Sequence, residues 1–185
     1  MRLGYRSGSN DYIMWDKDYD KVSGLLEYRR PLIWTNGVFD IIHTGHLRLL
    51  KFCRDHSKDG RVIVGINSDS SAKSLNKSHP LINNEIDRAM MLASLKDVDF
   101  VVIFDEPNPA KCLELIKPNY FIKGGDYTID ELPENEKAIV EEYGGKVLVS
   151  GKVEGKSTSS IYKKIYDIGY NDARDLDDTY GGGFI

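Results

Sequence analysis

"LIWTNGVFDIIHTGHLRLL", residues 32–50, decides how the rest of the chain is read. It opens on a short apolar run and closes on an apolar helical pattern. Between them His43 and His46 stand three positions apart around Gly45. A buried strand therefore ends, and a helix begins, at a turn rich in imidazole.

The same rhythm continues downstream. Short β-branched runs predict strands at 32–35, 61–67, 99–104, 120–123 and 146–150. Each is apolar on successive positions, as a strand covered on both faces must be. Helical patterns fall between and after them, at 45–57, 84–96, 108–117, 132–145 and 158–169. This alternation predicts an α/β fold, a five-stranded parallel sheet with helices on both faces. Right-handed crossovers then bring every strand's carboxyl end to one edge, where such sheets bind ligands.

Length and composition bound the function. The chain has 185 residues, 41% of them hydrophobic and 29% charged, which suits a single compact domain. A net charge of −4 gives no basic field for nucleic acid. The sequence shows neither an apolar run long enough to span a membrane nor a secretory signal pattern. Cys53 and Cys112 are far apart and form no CxxC pair, so free buried thiols in a reducing cytoplasm are expected. Residues 1–30 read as an N-terminal extension whose only periodic stretch, 18–30, suggests a short helix. Residues 31–168 read as the domain, and 169–185, acidic then glycine-rich, as a flexible tail.

Two helix starts at the sheet edge suit an anion. At the first, His43 and His46 lie beside unpaired backbone N–H groups and the positive end of a helix dipole, and Gly45 allows close approach. That environment favours neutral imidazoles when the site is empty. The second, "SGKVEGKSTSS" (150–160), falls one residue short of a Walker A loop and is followed by no further strand, so a P-loop is excluded. Its physics survives: Ser157, Thr158 and Ser159 offer hydroxyls and N–H groups at a helix start, with Lys152 and Lys156 adding charge. Two such sites on one edge point to a ligand with several phosphates, a nucleoside triphosphate. "IKGGDY" (122–127) adds Lys123, Gly124 and Asp126, and "GINSD" (65–69) adds Asn67 and Asp69. Zinc held by His43 and His46 lacks a third ligand at usable spacing.

Taken together, "TNGVFDIIHTGH" and "EGKSTSS" resemble the two signatures of the HxGH nucleotidyltransferase superfamily. "EIDRAMMLASLKDVDFVVIFDE", "IKPNYFIKGGDY" and "EEYGGKV" are similar to its D-glycero-β-D-manno-heptose 1-phosphate adenylyltransferase branch. The resemblance covers about residues 32–165 and implies a Rossmann-like sheet, nucleotidyl transfer with pyrophosphate leaving, and assistance from Mg²⁺. It implies that His43 and His46 stabilise the transition state with Lys73. Gly37, Val38 and Phe39 would line the nucleotide pocket, joined by Arg88, Lys123, Gly124, Asp126, Lys152 and the Ser157–Ser159 cluster. Asp40, Asn67, Asp69, Lys73 and Lys77 would face the acceptor. One loop departs: "SLNKSHPLIN" (74–83) is a residue shorter than the heptose pattern, so Lys73 and Lys77 are expected to supply its cations. ATP and a heptose 1-phosphate-like sugar phosphate are the expected substrates. The alternatives are CTP with glycerol 3-phosphate or a similar polyol phosphate, and a nucleotide-binding module without catalysis. The resemblance is compatible with a cytoplasmic homodimer that engages neither nucleic acid nor membrane.

Overall fold

The computed structural model describes residues 3–6, 12–13, 31–75, 80–125, 128–151 and 153–180. Seven strands form one sheet: β1 (Leu3–Arg6), β2 (Tyr12–Ile13), β3 (Leu32–Gly37), β4 (Arg61–Asn67), β5 (Phe100–Phe104), β6 (Tyr120–Lys123) and β7 (Lys146–Val149). The spatial order is β2-β1-β5-β4-β3-β6-β7. The five strands from β3 onward pair in parallel, as the alternation predicts. Sequence reading missed β1 and β2, which add antiparallel beyond β5. Their sequences, LGYR and YI, hold no apolar run that would mark a strand. The helix expected at 18–30 lies outside the described residues.

The helices are α1 (Thr44–Ser57), α2 (Asp69–Ser74), α3 (Glu85–Ala93), α4 (Ala110–Ile116), α5 (Glu134–Glu142) and α6 (Thr158–Tyr180). Period-two alternation sends successive strand residues to opposite faces. On one face Ile33, Val64, Ile66 and Ile103 pack with Leu50 and Cys53 of α1 and Leu92 of α3. On the other, Trp34, Ile63, Val102 and Phe121 pack with Cys112 and Leu113 of α4 and Val140 of α5. Each face is thus a separate dry core, and β3 to β6 are buried along most of their length because both faces are covered. Both cysteines are free and buried, as expected.

Gly65 of β4 is fixed by this packing, since a Cβ there would lie 2.2 Å from Cζ2 of Trp34. α6 runs to Tyr180, through much of the segment that composition assigns to a tail. Between Ser160 and Tyr180 there is no proline and one glycine, so nothing stops the helix before the glycine run at 181–183. Strand order reverses at β3: the chain first moves outward through β4 and β5, then crosses to β6 on the other side. The crevice at the carboxyl ends of β3 and β6 is therefore where a ligand fits.

Candidate active site

The turn after β3 is held in an uncommon shape. Phe39 adopts φ of 53°, a left-handed conformation that a bulky residue takes only when its surroundings enforce it. Its buried ring packs on the His46 imidazole with centroids 4.8 Å apart. Asp40 follows, and its carboxylate accepts from the N–H groups of Ile82 at 3.0 Å and Asn83 at 2.8 Å. The Asn83 amide donates back to the Asp40 carbonyl at 2.6 Å. Asp40 thus ties the turn to the loop before α3.

Arg88 completes that tie. Its side chain is fully buried, and its guanidinium donates to Val38 O at 2.6 Å, Asn83 O at 3.2 Å and Asp69 Oδ1 at 2.7 Å. The resemblance places Arg88 on the nucleotide; in the structure its guanidinium is committed to these three acceptors and does not line the cavity. Asp69 spends its carboxylate on Arg88 and, like Lys73 on the exposed side of α2, does not line the cavity. Asn67 does line the cavity, its amide steadied by Ser71 Oγ at 3.0 Å.

His43 is the N-cap of α1, its Nδ1 accepting from Gly45 N at 3.1 Å. That bond leaves the proton of the neutral ring on Nε2 as a donor. His46 stacks on His43 with centroids 3.8 Å apart. A Cβ on Gly45 would meet the His43 ring at 2.9 Å, so the cap requires glycine. Burial first, and then the neighbouring His43, push the His46 pKa down to about 3, with the Ile41 main chain opposing. Burial also lowers that of His43. Both rings are neutral donors in the empty site, as expected, though the cause is desolvation more than the helix dipole.

The second helix start lies against the first. The same Gly45 Cβ would sit 3.4 Å from Lys156 O. Ser157 and Ser160 cap α6 reciprocally: Ser157 Oγ accepts from Ser160 N at 3.0 Å, and Ser160 Oγ accepts from Ser157 N at 3.1 Å. Helix geometry leaves the N–H groups of Thr158 and Ser159 without intrahelical partners. His43, His46, Ser157, Thr158 and Ser159 line one cavity of about 640 Å³ together with Gly37, Val38, Phe39, Lys123 and Gly124. Asp126, Lys152 and Lys77 lie outside the described residues.

Lys123 is paired with Glu136 of α5, Nζ to Oε2 2.9 Å, and both line the cavity. Sequence reading missed Glu136 because it sits in an acidic run, "ENEKAIVEE", where nothing marks one carboxylate as buried. It also missed Leu75, Leu81, Pro107 and Pro109, which add apolar surface to the cavity lining. Loop residues of this kind carry no periodic signal.

The lowered pKa has a consequence for stability. An unfolded histidine titrates near 6.5 and folded His46 near 3. Between those values the unfolded chain holds a proton that the folded one lacks, so stability falls as pH falls through that window. His46→Gln should flatten the acidic limb of the Tm–pH curve relative to the wild type.

A parallel α/β sheet that brings an imidazole pair and a hydroxyl-rich helix start to one crevice defines a nucleotidyltransferase. The chain belongs to the cytidylyltransferase-like family, whose pattern matches residues 34–167. It is 38% identical over 168 residues to the bifunctional protein HldE of Geobacter sulfurreducens, covering 88% of this chain and 33% of that protein. With the protein of the same name from Geotalea uraniireducens it shares 42% over 153 residues, covering 80% and 30%. The chain thus spans about a third of the length of these relatives. Among solved structures, the lipopolysaccharide core biosynthesis protein of Thermoplasma volcanium superimposes with a TM-score of 0.57. It is 26% identical, and the match covers 66% of this chain and 98% of that one.

Proposed function

We infer that the protein transfers AMP from ATP to a heptose 1-phosphate-like sugar phosphate, releasing pyrophosphate. The observation that carries this reading is that His43, His46 and the start of α6 line one cavity. Similarity to HldE proteins and to a lipopolysaccharide core biosynthesis protein supports the sugar-phosphate acceptor.

An acceptor phosphate oxygen attacks the α-phosphorus in line. A new P–O bond forms, the bond to the bridging oxygen breaks, and its electron pair leaves with pyrophosphate. The acceptor is already ionised at neutral pH, so no strong base is needed; the protein positions two anions and neutralises their charge. The Nε2–H of His43 and the His46 imidazole donate to oxygens that gain charge. The N–H groups of Thr158 and Ser159 hold the β- and γ-phosphates, and Lys123, aimed by Glu136, adds positive charge. Phe39 and Val38 flank the nucleotide.

Mg²⁺ fits this donor set. Among the described residues no three His, Cys, Asp or Glu gather as a protein cage. Such an ion would be held chiefly by nucleotide oxygens and water, with Asp40 and Glu136 the carboxylates that line the cavity. When bound it would offset the charge of the departing pyrophosphate. Among the described residues no helix is long and apolar enough to cross a membrane. The two free buried thiols suit a cytoplasmic setting.

The test is a screen of ATP and CTP against heptose 1-phosphate and glycerol 3-phosphate, read out as pyrophosphate. ATP with the heptose phosphate should give the highest kcat/KM. Release only with CTP and the polyol phosphate would shift the assignment to the cytidylyl branch. Nucleotide binding with no release in any combination would reduce the protein to a binding module.

A further inference from the structure

The cavity spans the edge of the sheet, and its two sides differ in chemistry. On the α1 side lie His43, His46 and the start of α6, which offer N–H and O–H groups to anions. On the other side Trp34 and Phe121 pack under α4 and α5. These two residues are neighbours in the parallel register, so two positions on Asn36 and Lys123 stand side by side on that same face. Lys123 Nζ accordingly lies 4.9 Å from the centre of the Phe121 ring. Glu136 comes to the same place from α5, and all three residues line the cavity.

This side holds acceptors that lack donors. Glu136 is 4% exposed, and Lys123 Nζ, 2.9 Å from its Oε2, is not aligned to donate to it. The side-chain oxygen of Asn36 is likewise buried without a hydrogen-bond partner. Leaving a buried acceptor unpaired is costly, and most costly for a charged one. An ionised carboxylate has about four acceptor sites, and a single ammonium does not fill them.

The phosphates of a nucleotide cannot meet this need, since Glu136 repels them and the α1 side attracts them. A divalent cation is disfavoured there too, because Lys123 already sits against the carboxylate. The polar groups next to the phosphates in a nucleoside triphosphate are the ribose hydroxyls, a vicinal pair of donors suited to one carboxylate. With the phosphates against α1 and α6, the ribose falls across the sheet edge toward α5.

We propose that Glu136, with Asn36 beside it, is a specificity-determining residue that accepts hydrogen bonds from the ribose hydroxyls of the bound nucleotide. The proposal rests on the reading of this cavity as a nucleoside triphosphate site.

Calorimetry on the full chain, without acceptor, would compare ATP and CTP with their 2′,3′-dideoxy forms, with inosine triphosphate and with inorganic tripolyphosphate. The wild type should bind the dideoxy nucleotide about tenfold or more weakly than its parent, as expected for losing a hydrogen bond to a charged group. Glu136→Ala should bring that ratio close to one. Glu136→Gln keeps an acceptor without the charge and should fall between. Unfolding of both variants, followed by fluorescence of the buried Trp34, should remain cooperative. Equal binding of parent and dideoxy nucleotide by the wild type overturns the proposal. So does a Glu136→Ala protein in which ATP and tripolyphosphate weaken by one factor while the ratio persists; Glu136 would then only aim Lys123. Discrimination against inosine triphosphate that vanishes in the variants, with the dideoxy ratio intact, would move the contact to the base and overturn the ribose assignment. Binding of no nucleotide at all would instead overturn the functional reading beneath the proposal.

Discussion

His46→Ala is expected to lower turnover by about a hundredfold or more, the usual cost of removing one donor to a charge-developing oxygen. The side chain sits between the His43 ring and the Phe39 ring, at the start of α1, with its pKa near 3. It is therefore a neutral donor throughout the physiological range, and acid down to about pH 5 should not alter its state in the free enzyme. Phosphate reverses that balance by bringing negative charge to a desolvated imidazole. Nucleotide binding should accordingly take up protons, measurable by calorimetry in buffers of different ionisation heat, and the uptake should shrink in the variant. His46→Gln keeps a donor but cannot titrate, so it should recover part of the rate without the proton uptake. Wild-type turnover by His46→Ala in the pyrophosphate assay would remove the imidazole from the mechanism.

The largest effect on stability should come from Arg88→Ala. Its guanidinium is buried among Val38 O, Asn83 O and the Asp69 carboxylate. Truncation leaves two carbonyls and one carboxylate facing a gap, and breaking a buried ion pair from one side costs about 3–5 kcal/mol. The urea midpoint should drop by a corresponding amount with the slope unchanged. Arg88→Lys should rescue little, since one ammonium cannot span three acceptors held by a planar fork. Because Val38, Phe39 and Asp40 line the cavity, the surviving folded protein should show a raised KM for nucleotide. A residue that simply touched the nucleotide would show the reverse: lost activity at full stability.

The contrast between these two residues shows what sequence can carry. His43 and His46 announce themselves through local order, a strand end, a glycine and a helix start within ten residues. The five parallel strands are legible for a like reason, since burial on both faces imposes uninterrupted apolar runs. Arg88 and Glu136 are different. Each lies on a helix with the charge pattern of a solvated surface, and what buries it is a loop or strand far away in sequence. That Lys73 lies exposed on α2 and outside the cavity lining is likewise set by packing and not by its neighbours in the chain. Helix starts can be read locally; the partners of a buried charge cannot.

β1 lies along the outer side of β5, four residues paired antiparallel with Phe100 to Ile103. The strand it shields, "FVVIF", carries no charge, proline or glycine, which is the profile of a segment prone to recruit like segments from other molecules. β1 thereby works as a bumper. A version trimmed to begin at Pro31 would keep its reactive crevice and yet tend to clump when produced at scale, for want of a few residues at the far rim.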